Sequence, residues 1–370
     1  MLQNQGSVNI TDANNQWRNR PTDQRFETLL ALRESVNSRR MRSRSVDIDR
    51  KAILVYGQNG DLIINSKIAP CAPSHWAFGQ LCQAAKLNGV TTPANYMRQL
   101  SIPLAVQCLN EGLRSGDREA HKFMTIASPN ETTPNTLQAV TSTTYGRIWD
   151  ADVVDAVARI VDRTGGKFFN PKDWSGKPSG LYASDHDVFM FMIDGGSIVD
   201  AGPRAQLNRG FFTWNSETGA KTFGLCTFLF NTVCGNHIIW GAQDINRLVI
   251  RHTSGGPYRF DSQAAPALKA YIDASAQPVA DVVRKAQAMT LPDYSKDDKI
   301  LFDWTIKAGA KLTRSELAEA VRFAKSEEGD CRTIWQLVQG ATAYARGFDF
   351  IDARVDLETR ASKLLNLAAN

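Results

Sequence analysis

The sequence predicts an α+β fold in which an antiparallel sheet core is packed by helices, with a helical N-terminal subdomain and a helical C-terminal region. Three observations lead to this expectation. Two β-rich runs flank Asn59-Gly60, the pair most typical of a hairpin turn. Three longer β-like runs follow one another between residues 180 and 233. Helical periodicity precedes these runs and returns from about residue 276.

The 370 residues are enough for one large core or two ordinary ones. We divide the chain into a basic flexible arm (1–50), a hairpin plus helical subdomain (51–130), an α+β core (131–275) and a helical C-terminal region (276–370). Within the arm, which is rich in Asn, Gln, Arg and Ser, only Phe26 to Val36 has helical periodicity.

The N-terminal helices have recognisable starts and ends. Ser74 is a helix cap and Gly89 a stop, and a second helical stretch starts at Thr92-Pro93 and resumes over Ser101 to Arg114. A strand is predicted for Thr136 to Tyr145.

A helix is predicted from Asp150 to Gly165-Gly166, because its valines and isoleucines recur on one face. Further along, Thr313 and Glu316 form a capping box. We expect the first helix to cover the sheet of the core.

Composition narrows the classes of function. Hydrophobic residues make up 43% and charged residues 22%, as in globular proteins, and the net charge is a mild +5. No stretch has the roughly 18 apolar residues of a membrane span, and the polar start lacks the features of a signal peptide, so we expect a cytoplasmic protein. Without CxxC, GxxxxGK[ST], GxGxxG or HExxH motifs, we expect packed cysteines, no cofactor and no metal.

Polar residues concentrate in the SDHD, NSE and CGNH segments. Candidate catalytic residues are Asp185, Glu217 and His237, accompanied by Tyr182, Asp187, Asn215 and Asn236. If SDHD is extended, its two aspartates converge on one side, but SDHD is equally typical of a tight turn. We take Glu217 to be exposed, with little role in folding. Cys234 and His237 have a spacing that brings a thiol and an imidazole together on a helix, although a packed cysteine is the commoner case.

Arginines and aromatics suggest a nucleic-acid interface. Arginine binds phosphates and aromatic rings stack on bases. The candidate residues are Arg39, Arg40, Arg42, Arg44, Arg204, Arg209, Trp214, Arg251 and His252. Such a basic run is also typical of a solvated surface, and Phe211 and Trp240 are typical of a core.

Several segments resemble a known family, the phage and plasmid proteins called domain of unknown function 932. The matching segments span roughly residues 74 to 256 and are GVTTPANYMRQLSIPLAVQCLNEGL, TLQAVTSTTYGRIWDADVVDAV, GLYASDHDVFMFMID, RGFFTWNSETGAKTFGLCTFLFNTVCGNHIIWGA and RHTSGG. TIWQLVQGATAYARG resembles the family's closing helix more loosely. The resemblance implies a protein of a mobile element in the cytoplasm of a bacterial host and supplies no established activity.

Three functions remain open from the sequence. The first is binding of nucleic acid, single-stranded DNA above all, in replication, recombination or defence evasion. The second is an enzyme, such as a hydrolase of nucleic acid or nucleotides, that uses the SDHD, NSE and CGNH residues. The third is a structural or assembly protein. We expect no membrane partner and leave self-association into a homo-oligomer open.

Overall fold

A computed structural model describes residues 22–66, 68–115, 118–130, 132–165, 167–170, 180–200, 206–231, 237–238, 247–273, 277–348 and 351–369. Its strands are β1 (Ser43–Asp49), β2 (Leu54–Gln58), β3 (Asp61–Asn65), β4 (Cys71–Pro73), β5 (Lys86–Leu87), β6 (Val90–Thr91), β7 (Ala120–Ile126), β8 (Asn135–Ser142), β9 (Phe168–Phe169), β10 (Leu181–Ala183), β11 (Val188–Asp200), β12 (Gln206–Asn215), β13 (Phe223–Asn231), β14 (His237–Ile238) and β15 (Arg247–Ile250).

The helices lie between and after these strands. They are α1 (Leu29–Arg42), α2 (His75–Ala84), α3 (Ala94–Met97), α4 (Ile102–Arg114), α5 (Asp150–Arg163), α6 (Gly256–Arg259), α7 (Ala265–Asp273), α8 (Gln277–Ala288), α9 (Asp298–Lys307), α10 (Arg314–Glu328), α11 (Ile334–Ala345), α12 (Ile351–Ser362) and α13 (Asn366–Ala369). Helices and largely antiparallel sheets occur together, so the fold class is α+β, as the sequence predicts.

The first sheet has the strand order β1-β7-β8-β4-β3-β2. All its pairs are antiparallel except β4 with β8, where Cys71 lies opposite Asn135. The predicted hairpin joins β2 to β3, and Asn59 and Gly60 both have the positive φ of a type I′ turn. Residues of α2 and α4 such as Leu81 and Leu109 are fully buried against this sheet.

The second sheet has the order β10-β11-β12-β13-β14, with β15 on β13 and β9 on β11. Helix α5 buries its apolar face on it, as predicted, and α1 packs beside α5 through Leu32 and Val36. The opposite face carries a cluster of buried aromatic rings that includes Phe191, Phe212 and Phe228. The sheet is therefore apolar on both faces.

The C-terminal helices α8 to α12 form a further core that also contacts Leu207 and Leu229 of the second sheet. The predicted capping box of Thr313 and Glu316 is present at the start of α10. Thr333 and Gln336 form a second one at α11. Reciprocal side-chain bonds satisfy backbone groups at both starts, which explains why the helices begin there.

Two predicted boundaries are wrong. Residues 29–49 are not a flexible arm, because α1 packs on α5 and all seven residues of β1 pair with β7. The strand predicted after residue 131 is not part of the second sheet, because β8 pairs with β7 and β4 in the first. Alternation of apolar residues predicts a strand but not its partner.

Candidate functional site

The SDHD segment is a tight turn between β10 and β11. The Ser184 hydroxyl accepts hydrogen bonds from the backbone N–H groups of His186 (3.2 Å) and Asp187 (3.1 Å) and donates one to Oδ1 of Asp187 (2.6 Å). Asp187 is fully buried. The turn alternative is therefore confirmed for this segment.

A second turn, in the NSE segment, lies against the first. The hydroxyl groups of Ser216 and Thr218 both donate to the backbone oxygen of His186, at 2.5 Å and 3.1 Å. Asp185 lies at the surface, and its Oδ1 is 2.5 Å from Nδ1 of His186. This hydrogen bond lowers the pKa of the Asp185 carboxyl. The two segments that the sequence grouped by composition are therefore neighbours in space.

Behind these turns lies a buried group of four side chains that we call the polar junction: Arg39, Asp150, Asn215 and Glu217. The guanidinium of Arg39 lies 2.5 Å from Oδ2 of Asp150 and 3.1 Å from Oε1 of Glu217. The amide of Asn215 donates to Oδ1 of Asp150 at 2.7 Å. The junction thus joins α1, the start of α5 and the end of β12.

Glu217 also completes the start of α5. Trp149, the residue before the helix, makes no side-chain cap, and Oε2 of Glu217 accepts the N–H of Asp150 at 3.0 Å instead. Glu217 is 2% exposed. The expectation of an exposed carboxylate with little role in folding is therefore wrong.

The electrostatics of the polar junction follow from its burial. Desolvation, together with nearby Glu217, raises the pKa of Asp150, while Arg39 and the amide of Asn215 oppose the rise. Each carboxylate already binds a positive or N–H group of the fold. This arrangement stabilises the contact between three elements and leaves neither carboxylate on the surface.

Other members of the predicted catalytic group lie elsewhere. His237 is opposite Phe230, near the far end of β13. The NSE turn lies beside the start of β13 at Phe223, seven residues and hence roughly 20 Å away. Tyr182 is buried among the aromatic rings on the outer face of the second sheet. Asn236 and Cys234 are outside the described residues. The structure therefore gathers Asp185, Asp187, Asn215 and Glu217 but not His237.

Next to the polar junction, arginine and aromatic side chains alternate in a row that we call the arginine ladder. Its members in order are Arg40, Trp149, Arg147, Tyr145 and His252. The Arg40 guanidinium lies 3.7 Å from the Trp149 ring centre, and that of Arg147 lies 5.3 Å from Trp149 and 5.4 Å from Tyr145. The Tyr145 and His252 rings stack at 5.0 Å and 10°.

The inner ladder is held by the fold. Nη1 of Arg147 donates to the backbone oxygen of Glu217, and burial lowers the pKa of Arg147. Nδ1 of His252 accepts the N–H of Ile148 at 3.3 Å, and burial lowers the pKa of this imidazole to about 4. His252 is therefore neutral at pH 7, with its proton on Nε2.

The predicted nucleic-acid residues divide into exposed and interior ones. Arg40, Arg42, Arg44 and Arg251 are exposed. Arg209 is buried and lies 3.2 Å from Asp194, and the Arg39 guanidinium is occupied in the polar junction.

Trp214, the predicted stacking residue, packs into the second sheet. Its ring stacks on Phe212 and covers Gly224, where a Cβ would overlap it. Arg204 and Trp240 are outside the described residues, whereas Phe211 is fully buried, as expected of a core residue.

Three residues of the arginine ladder were not among the site residues predicted from the sequence. Tyr145, Arg147 and Trp149 occupy alternate positions of YGRIWD, which lies outside the helices and strands up to Trp149, whose backbone is extended. Alternate residues of an extended chain point to one side. An aromatic–arginine–aromatic alternation was the signal that could have identified them.

Comparison with known proteins gives no match: no family model, no curated protein and no solved structure resembles this chain. The resemblance to the family called domain of unknown function 932 stays a prediction. Among the residues described, no three His, Cys, Asp or Glu side chains are grouped so that they could hold a metal ion. In the same part of the chain, no helix is both long and apolar enough to cross a membrane.

Proposed function

We propose that the protein binds nucleic acid, and single-stranded DNA in preference to duplex, at the arginine ladder and the exposed arginines around it. The observation that carries this proposal is the stacking of Arg40 on Trp149 at 3.7 Å. A guanidinium held on a ring keeps its N–H edges free for phosphate and loses little conformational freedom when it binds. Arg42 and Arg44 follow on the same exposed segment.

The other end of the ladder also reaches a basic, aromatic surface. Arg251 precedes His252 and is exposed, and Tyr258 is 76% exposed. An exposed ring beside arginines suits unpaired bases, which can stack on it, better than a duplex, whose bases are already stacked. Burial raises the pKa of Asp152, the nearby charge of Arg40 opposes the rise, and the carboxylate of Asp261 adds to it. These carboxylates limit the positive charge, so we expect weak, salt-sensitive binding.

A role in replication, recombination or defence evasion of a phage or plasmid is part of the proposal and rests on the family resemblance alone. The polar junction enters as support for the interface. It fixes the end of α1 through Arg39, which places the neighbouring Arg40 on Trp149.

The test is binding of a fluorescent single-stranded oligonucleotide at several salt concentrations. We expect Arg40→Ala/Arg42→Ala/Arg44→Ala to weaken binding and to make the slope of log affinity against log salt shallower by roughly 0.7 per lost contact. The matched control replaces the exposed arginines Arg284, Arg322 and Arg332 of the C-terminal region. Equal effects of the two triple variants would exclude this surface, and no binding by folded wild-type protein at low salt would exclude the function.

A further inference from the structure

A second feature is an open pocket of about 530 Å³ whose lining includes Tyr145. Helix α2, the β5–β6 hairpin and the ends of β7 and β8 form its walls. Its lining includes Gln83, Lys86, Thr91, His121, Ser142 and Tyr145. The volume lies within the range of about 300–1,000 Å³ found for small-molecule sites.

Most residues that line the pocket have polar side chains. Only Ala84, Val140 and Gly219 of its residues lack a polar side chain. Sites for drug-like apolar ligands are lined mainly by apolar and aromatic groups. This pocket instead offers hydroxyl, amide, ammonium and imidazole groups, which suit a charged, strongly hydrogen-bonding ligand.

The pocket offers a phosphate one ammonium group and one unpartnered imidazole. Lys86 and His121 lie on different walls, 3.7 Å and 3.9 Å from the half-exposed carboxylate of Glu119, whose place between them a phosphate would take. Burial lowers the pKa of His121 and the positive charges of Lys86 and Arg50 lower it further, while Glu119 opposes them, so His121 contributes a hydrogen bond and not a charge. Nε2 of His121 is buried and makes no hydrogen bond. A ligand oxygen would give this nitrogen the partner that a buried polar atom needs.

We propose that this pocket binds a phosphate monoester of nucleotide size, with the phosphate between Lys86 and His121. Phosphate presents several strong acceptor oxygens, and lysine binds it as a point charge. Thr91, Ser142 and Gln83 line the pocket beside these groups and would face the remainder of the ligand. The same chemistry exists in a free nucleotide and in the 5′-phosphate end of a DNA strand. The pocket does not depend on the proposed interface, although Tyr145 belongs to both.

The first experiment titrates full-length protein with adenosine 5′-monophosphate, and with adenosine for comparison, by calorimetry. We expect saturable binding of the monophosphate and at least tenfold weaker binding of adenosine, about 1.4 kcal/mol. Lys86→Ala should weaken monophosphate binding by about tenfold or more, and His121→Ala should also weaken it. Lys299→Ala, an exposed lysine of α9, should bind like wild type. Monophosphate binding that is unchanged by Lys86→Ala would overturn the proposed site.

The second experiment separates the two sources of phosphate. Oligonucleotides with a 5′-phosphate or a 5′-hydroxyl are compared on wild-type and Lys86→Ala protein. Tighter binding of the phosphorylated strand by wild type alone identifies a strand end as the ligand, and equal binding of the two strands with a positive monophosphate titration identifies a free nucleotide. If neither phosphate is recognised, the proposal is wrong, whether or not the protein binds internal DNA. If wild-type protein binds the monophosphate but no oligonucleotide, the proposed function is wrong and the proposed phosphate site stands.

Discussion

Arg39 and Arg40 are consecutive residues of one helix, yet they belong to opposite environments. The Arg39 side chain is 16% exposed and bridges two buried carboxylates, whereas Arg40 is exposed and stacks on the Trp149 ring. Consecutive helical residues point about 100° apart, so neighbouring positions can face the interior and the solvent. The same residue type is therefore part of the fold at one position and available to a partner at the next.

Replacing Arg39 and replacing Arg40 should differ most in their effect on the free energy of unfolding. Arg39→Met removes the cation from Asp150 and Glu217, and we expect the free energy of unfolding to fall by about 3–5 kcal/mol, because breaking a buried pair strands the partner charge. Urea denaturation measures it. Arg40→Met is the matched control and should cost about 1 kcal/mol or less, as exposed contacts do. Similar small losses for both variants would show that the polar junction contributes little to stability.

The second prediction concerns the close packing between Gly146, within the arginine ladder segment, and Thr253 of the RHTSGG segment. A Cβ on Gly146 would overlap the backbone oxygen of Thr253, so we expect Gly146→Ala to destabilise the protein by about 1–3 kcal/mol through overpacking. It should also weaken DNA binding, because His252 would move away from Tyr145. Gly79→Ala in α2, where the nearest atom is 3.8 Å away, is the control and should be neutral or stabilising. A Gly146→Ala protein with wild-type melting would refute the packing argument.

The pH dependence of stability tests the burial of His252. Its pKa falls from 6.5 to about 4 on folding because burial disfavours the charged ring. Below pH 6.5 the unfolded chain takes up a proton that the folded protein does not, so stability present above pH 6.5 is lost progressively down to pH 4, by up to about 3 kcal/mol. His252→Gln should show a smaller loss over this range. Asp150, whose raised pKa acts in the opposite sense, is present in both proteins. Parallel pH curves would contradict the argument.

Arg40→Lys is the mildest test of the comparison. It keeps the charge but loses the planar stack on Trp149, so the salt slope of DNA binding should stay unchanged while affinity falls by roughly 0.5–1 kcal/mol. Anisotropy titrations at several salt concentrations measure both quantities. Unchanged affinity would show that the stack is unimportant.

Local features of the sequence predicted local structure well. Asn59-Gly60, the helix from Asp150 and the capping box at Thr313 are each specified by a few neighbouring residues. The SDHD and NSE turns could also be grouped, since they end paired strands of one sheet.

The features that could not be predicted from the sequence depend on contacts between residues far apart in the chain. The bond between Arg39 and Asp150 joins residues 111 positions apart, and nothing near Arg39 distinguishes it from Arg40. Glu217 was expected at the surface because its role as a cap for α5 involves a residue 67 positions away. The partner of β8 was missed for the same reason.

The wide spacing of the polar junction also bears on how the chain folds. Helix α1 is synthesised before Asp150 and Glu217, which fix its end and emerge from the ribosome only after the strands of the first sheet. Until then the buried face of Leu32 and Val36 has no α5 to cover it. Contacts of such large sequence separation slow folding and expose apolar surface in intermediates. Helix α1 is therefore synthesised well before the residues that fix it in place, and its apolar face stays uncovered until they follow.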